Sequence, residues 1–112
     1  MLYNKNRGKI INREEVFLKL SKEAEILQKN DFNLVEGYAD AKLAAKVYEK
    51  TTDSKRFILR IVCQGRFVYV TSKIYFNYSA WENQIRCQLD NYIDLEGDIK
   101  ELINSTIKLS ML

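Results

Sequence analysis

The sequence predicts a single α+β domain in which an antiparallel β-hairpin packs on helices, in the order α-α-β-β-α-α. Three observations lead to this prediction. Apolar residues recur at helical spacing on both sides of the centre of the chain. Between Lys55 and Tyr78 they alternate with a period of two, as in a half-buried strand pair. The length of 112 residues is typical of one domain, so we treat residues 1–112 as a single unit.

The N-terminal part of the chain is predicted to contain the first helix. Residues 1–11 are interpreted either as a partly ordered tail or as an edge strand. Asn12 followed by Glu15 matches a capping box, in which each side chain satisfies a backbone N–H of the other residue. The apolar spacing that follows predicts a helix that ends near Asn30.

A second helix is predicted over residues 34–51, because apolar side chains recur there at intervals of three and four. Gly37 lies inside this span and costs a helix about 1 kcal/mol relative to alanine. An alternative interpretation places a strand at Phe32–Tyr38 and a shorter helix from Asp40. The long helix is preferred, since a short connector would then join the two helices as an αα-hairpin.

The central β-hairpin is predicted to turn at Gln64–Gly65, because glycine readily adopts the positive φ that tight hairpin turns require. With this two-residue loop, Ile61 lies opposite Val68, and Arg60 lies opposite Tyr69. A three-residue loop would exchange the two faces of the second strand. The two-residue loop is preferred because it separates an apolar face from a mixed face more cleanly.

The second strand of the hairpin is predicted to be longer than the first, since its alternation continues to Tyr78. The overhang would either bend at Ser72 into a short third strand or pair with residues 8–11.

Two C-terminal helices complete the predicted order. Ser79 followed by Glu82 matches another capping box, and a final helix is expected over roughly residues 98–108. The residues predicted to form the core are Val16, Leu20, Leu27, Ala41, Leu59, Ile61, Val68, Val70, Ile85, Leu89 and Ile103.

The chemistry of the side chains argues against an enzyme. The chain contains no histidine, which removes the commonest general base and most nucleophile pairs. Cys63 and Cys87 lack metal-ligand spacing and are predicted to be buried thiols, so neither a disulfide framework nor a metal site is expected. The pairs Glu14/Glu15 and Glu96/Asp98 are interpreted as first-turn charges at helix N-termini. The four glycines are isolated, so no phosphate-binding loop is predicted, and no cofactor is expected.

Charge is distributed unevenly along the chain, although the net charge is only +3. Residues 55–78 contain five basic residues, no acidic residue and six of the twelve tyrosines and phenylalanines. Arginine and tyrosine are enriched at binding hot spots. The outward side of the hairpin is therefore predicted to bind a partner through Arg56, Arg60, Phe67, Tyr69, Lys73 and Tyr75.

Two functions are compatible with this surface. The preferred one is a small, cytoplasmic, non-enzymatic protein-binding module. It would be a phage or mobile-element protein that acts as an inhibitor or adaptor on a host factor, and the host factors considered include nucleic-acid-handling ones. The alternative is a nucleic-acid-binding protein that uses the basic hairpin and the N-terminal arm. The ordinary solvated face of a sheet would explain the same residues. A membrane partner is not expected, and the sequence does not indicate an oligomeric state.

Overall fold

A computed structural model describes residues 12–112, and it shows an antiparallel sheet of five strands flanked by helices at the two ends of the chain. The elements are α1 (Arg13–Glu23), α2 (Glu25–Lys29), β1 (Asn33–Ala39), β2 (Leu43–Thr51), β3 (Lys55–Gln64), β4 (Phe67–Phe76), β5 (Ser79–Gln88), a short 3-10 turn (Leu89–Asn91) and α3 (Tyr92–Ser110). The strands follow one another in sequence order, so β1 and β5 are the edges. The predicted order α-α-β-β-α-α is therefore wrong, because strands occupy two of the segments that were predicted to be helices.

The first helix begins where its capping residue predicts. The Asn12 side chain accepts a hydrogen bond from the Glu15 backbone N–H at 2.8 Å, so it satisfies one of the unpaired donors at the helix start. The Glu15 carboxylate accepts a hydrogen bond at 3.4 Å from the side-chain amide of Asn12, and not from its backbone N–H as the capping box predicts. Ala24 separates α1 from α2, and the helical region closes at Asn30, as predicted. Residues 1–11, with the proposed tail or edge strand, lie outside the described residues.

The predicted second helix is wrong, because residues 34–51 form most of the hairpin of β1 and β2. One Asp40 carboxylate oxygen accepts the backbone N–H groups of Lys42 and Leu43 at 2.7 and 2.8 Å, which stabilises a turn in the middle of the predicted helix. Tyr48 pairs with Leu59 of β3, so the contacts that favour a strand come from a distant segment. Of the two interpretations, the alternative strand at Phe32–Tyr38 resembles β1, whereas its helix from Asp40 is also wrong.

The β3–β4 hairpin exists, but its turn is displaced by one residue from the prediction. Gln64 pairs with Phe67, and Gly65, with a φ of 59°, forms the turn together with Arg66. The strand pairing therefore slips by two residues, so Arg60 lies opposite Thr71 instead of Tyr69. A slip of two residues preserves the face to which each side chain points. The predicted faces are consequently right although the predicted pairs are wrong.

The segment after β4 forms a full fifth strand in place of a helix. β4 ends at Phe76, and Asn77, with a φ of 52°, helps to turn the chain into β5. The capping box at Ser79 does not start a helix, because Ser79 pairs with Phe76 in the sheet. The predicted bend at Ser72 is absent from this continuous strand, and the alternative pairing with residues 8–11 falls outside the described residues.

The last helix is longer than predicted. α3 begins at Tyr92, and the acidic residue of its first turn is Asp94. Glu96 and Asp98 lie beyond that turn. Their interpretation as first-turn charges is therefore wrong, whereas Glu14 and Glu15 do occupy the first turn of α1.

Both long helices pack on the same side of the sheet, which we call the inner face. α1 contacts β3, and α3 contacts β3, β4 and β5. Most of the predicted core is buried there, but Ile85 and Leu89 are half-buried and Ala41 is exposed in the β1–β2 turn. The large, fully buried side chains missing from the prediction are Phe32, Tyr48, Tyr92 and Ile99. Within residues 12–112, no helix has the length and apolar character needed to cross a membrane.

Candidate functional site

The opposite side of the sheet, here called the outer face, has neither long helix packed on it. It comprises the odd-numbered residues of β2 and β4, the even-numbered residues of β3 and β5, and Asn33, Glu36 and Tyr38 of β1. It contains an apolar patch on β2 and β3 beside Arg60, in which Ala45 and Val47 are buried, and Ile58 and Val62 are half-buried. An apolar patch with polar surroundings is a common composition of a protein-binding surface.

All six predicted binding residues lie on the outer face. Arg56 and Arg60 point outward from β3, and the other four point outward from β4. Arg56 lies opposite Tyr75, whereas Lys73 lies between Ile58 of β3 and Glu82 of β5. The strand register thus brings the six residues together on one surface, and their role in binding stays a prediction.

The aromatic residues of β4 form the base for an arginine that the sequence interpretation missed. The Arg86 guanidinium lies 4.5 Å from the centre of the Phe67 ring and 5.7 Å from that of Tyr69. The two rings are themselves 6.3 Å apart. Arg86 was overlooked because its segment was predicted to be a helix. The sequence signal that could have found it is the alternation of Ile85 and Cys87 with polar neighbours.

The other end of the outer face contains an internal ion pair. Arg56 donates from Nε and Nη2 to the two carboxylate oxygens of Glu49, at 2.8 and 3.2 Å. This contact lowers the pKa of the Glu49 carboxyl and raises the pKa of Arg56. The Arg56 guanidinium also lies 5.8 Å from the centre of the Tyr75 ring. The basic character predicted for this end is therefore partly neutralised by a residue from β2.

The two cysteines lie on the inner face, away from the outer face. As predicted, both thiols are free and buried. Burial raises the pKa of Cys63 to about 12 and also raises the pKa of Cys87. Because the thiolate is the reactive form, neither side chain is suited to act as a nucleophile at neutral pH.

A cluster of carboxylates occurs where α1 and α3 meet. Lys100 Nζ lies 3.8 Å from Glu23 Oε1 and 3.7 Å from Glu96 Oε1. Burial, with a hydrogen bond to Glu96, raises the pKa of Glu23 to about 7. Both carboxylates thus lie within 4 Å of the same ammonium group. Across the described part of the chain, no group of three or more histidine, cysteine, aspartate or glutamate residues could hold a metal ion.

Comparison with known proteins adds no family to this description. No protein-family model, no curated protein and no solved structure matches the chain.

Proposed function

We propose that this protein is a non-enzymatic binding module that contacts another protein through its outer face and acts as an inhibitor or adaptor. The observation that carries the proposal is the one-sided packing of the helices. An open sheet with an apolar patch and projecting arginine and tyrosine side chains has the composition of binding hot spots. A cytoplasmic setting belongs to the same proposal, and the two unpaired cysteines support it.

The charge pattern favours a protein over a nucleic acid as the partner. The outer face carries the basic residues Arg56, Arg60, Lys73 and Arg86, but also the acidic residues Glu36, Glu49 and Glu82. A nucleic-acid backbone is uniformly negative and would meet these carboxylates. A folded protein surface carries both signs of charge and can be complementary to such a mixture.

Partner capture from a lysate tests the proposal. We expect the double variant Arg60→Glu with Tyr69→Ala to lose the captured protein, because it changes one exposed charge and one half-buried ring on the outer face. Lys19→Glu with Tyr78→Ala is the matched control, since Lys19 is exposed on α1 and Tyr78 is fully exposed in the β4–β5 turn.

The control should retain capture, and nuclease treatment should leave it unchanged. Capture that disappears with nuclease would support the nucleic-acid alternative instead. Equal loss in the two double variants would contradict a role for the outer face. Thermal unfolding of each variant shows whether a loss of capture reflects unfolding.

A further inference from the structure

The outer face contains two arginines that lie near aromatic rings, but only one of them forms an ion pair with a carboxylate. Arg56 lies near Tyr75 and is hydrogen-bonded by both oxygens of Glu49. Arg86 lies over Phe67 and Tyr69, and it forms no ion pair with any residue of the range 12–112. The Arg56 arrangement shows, within the same molecule, that an arginine beside an aromatic ring can also form a bidentate ion pair with a carboxylate.

The aromatic rings prepare Arg86 for such a contact. A guanidinium group that stacks on a ring is restricted in position, while the N–H groups along its edge stay available to acceptors. These N–H groups match a carboxylate in a bidentate arrangement. Because the Arg86 side chain is already partly ordered, it loses less conformational entropy when an acidic group binds to it.

The surroundings of Arg86 are also electrostatically suitable for an acidic group. Along the outer face, its neighbours are the amides Gln84 and Gln88 on β5, and Tyr69 on β4. The exposed turn residues Arg66 and Lys42 lie at the same end of the sheet, where the Gly65 N–H donates to the Lys42 carbonyl at 3.3 Å.

The acidic residues near this end lie in turns and do not occupy the outer face. The Asp40 carboxylate already accepts two backbone N–H groups in the β1–β2 turn. Asp90 belongs to the 3-10 turn that follows β5. The acidic residues of the outer face itself, Glu36, Glu49 and Glu82, lie nearer to the opposite end of the sheet or on the β1 edge.

From this contrast we infer that the protein partner presents an acidic side chain, whose carboxylate binds Arg86 above Phe67 and Tyr69. This inference rests on the proposed function and adds the chemistry of the partner to it. The end of the outer face that lacks acidic residues is short. It extends over about four residues of a strand, or roughly 13 Å. Such a patch accommodates one or two carboxylates. A DNA duplex carries a charge about every 1.7 Å and would extend over Glu49 and Glu82.

The test uses short synthetic peptides and the intact chain. One peptide alternates glutamate with tyrosine, and a control peptide alternates glutamine with tyrosine. NMR chemical shifts of the backbone amides locate the contact at low salt. We expect the glutamate peptide to perturb Phe67–Tyr69 and Arg86–Gln88, and the glutamine peptide to bind about fivefold more weakly.

Substitutions then separate Arg86 from a cation that lies outside the outer face. Arg86→Gln should weaken binding of the glutamate peptide about fivefold, whereas Lys19→Gln, at an exposed position of α1, should leave it within about twofold. Arg86→Lys should give an intermediate loss, because it keeps the charge but loses the planar stacking group. Equal losses for Arg86→Gln and Lys19→Gln, or perturbations confined to other surfaces, would overturn the inference. A DNA oligonucleotide of equal charge that binds more tightly than the glutamate peptide would also overturn it.

The two proposals can fail independently. If the glutamate peptide does not bind at Arg86 but Arg60→Glu with Tyr69→Ala still abolishes partner capture, the outer face binds a partner of different chemistry. If capture is insensitive to every substitution on the outer face, the proposed function itself is wrong.

Discussion

Side chains of the inner and outer faces alternate along the same strands, yet the two faces differ in how deeply their side chains are buried. Leu59 and Ile61 of β3 are fully buried beneath the helices, whereas the intervening Arg60 is exposed. The inner face supplies the apolar burial that drives folding. The outer face leaves a smaller apolar patch without a helix over it. The comparison thus separates the side of the sheet that supplies the buried core from the side on which we propose that a partner binds.

The largest expected effect comes from truncating an inner-face side chain. Leu59→Ala should lower the free energy of unfolding by about 2–5 kcal/mol, because it leaves a cavity in a fully packed site. Arg60→Ala, on the next residue, should change it by no more than about 0.5 kcal/mol. Urea unfolding measures both variants. Similar losses for the two would mean that the faces are not energetically distinct.

A smaller effect is expected from the buried hydroxyl pair that joins the sheet to α3. Ser72 Oγ and Thr106 Oγ1 are 2.7 Å apart, and Thr106 also donates to the Leu102 carbonyl at 2.8 Å. Ser72→Ala should destabilise the protein by about 1 kcal/mol, since it removes one partner of a buried hydrogen bond. The exposed Ser105→Ala is the control, and its unfolding midpoint should not change. A neutral Ser72→Ala would show that this contact does not anchor α3.

The smallest effect concerns two carboxylates that lie near cations on opposite sides of the sheet. The pKa of Glu23 is raised to about 7 by burial and by Glu96, despite the nearby Lys100, whereas the pKa of Glu49 is lowered by Arg56. Tyr92, whose pKa is raised by burial and then by Glu23 and Glu96, also belongs to the surroundings of Glu23. A raised carboxyl pKa means that the folded state favours the protonated form.

The contribution of Glu23 to stability is therefore complete below its unfolded pKa of 4.5 and is lost as the pH rises through about 7. Glu23→Gln, which resembles the protonated form, should remove this decline, so its melting temperature should exceed that of the wild type more at about pH 8 than at about pH 5. Glu49→Gln is the opposite case, because a lowered pKa gives stability that is lost as the pH falls. Parallel pH profiles for the two variants would contradict the assigned environments.

Local sequence signals were reliable where the structure depends on neighbouring residues. The Asn12 cap identified the start of α1, since capping involves groups only three residues apart. The period of two between Lys55 and Tyr78 assigned the faces of β3 and β4, and a slip of two residues in the pairing did not disturb them. The six predicted outer-face residues are together for this reason.

The failures occurred where partners are far apart in the chain. Residues 34–51 satisfy a helical spacing, but their backbone groups pair within a sheet that includes β3. Likewise, the capping box at Ser79 was ineffective because β4 supplied a strand partner. Arg86 was missed with it, since its proximity to Phe67 exists only after β5 pairs with β4. Strand propensity depends on such context more than helix propensity does.

The sequence by itself determined to which face of the sheet each side chain of the central hairpin points, because that depends on the alternation of residues along a strand. Tertiary structure alone decided that the sheet has five strands and that both long helices cover the same side of it. The physical reason is that each added strand is stabilised by hydrogen bonds and side-chain contacts with its neighbour, and no local pattern contains them.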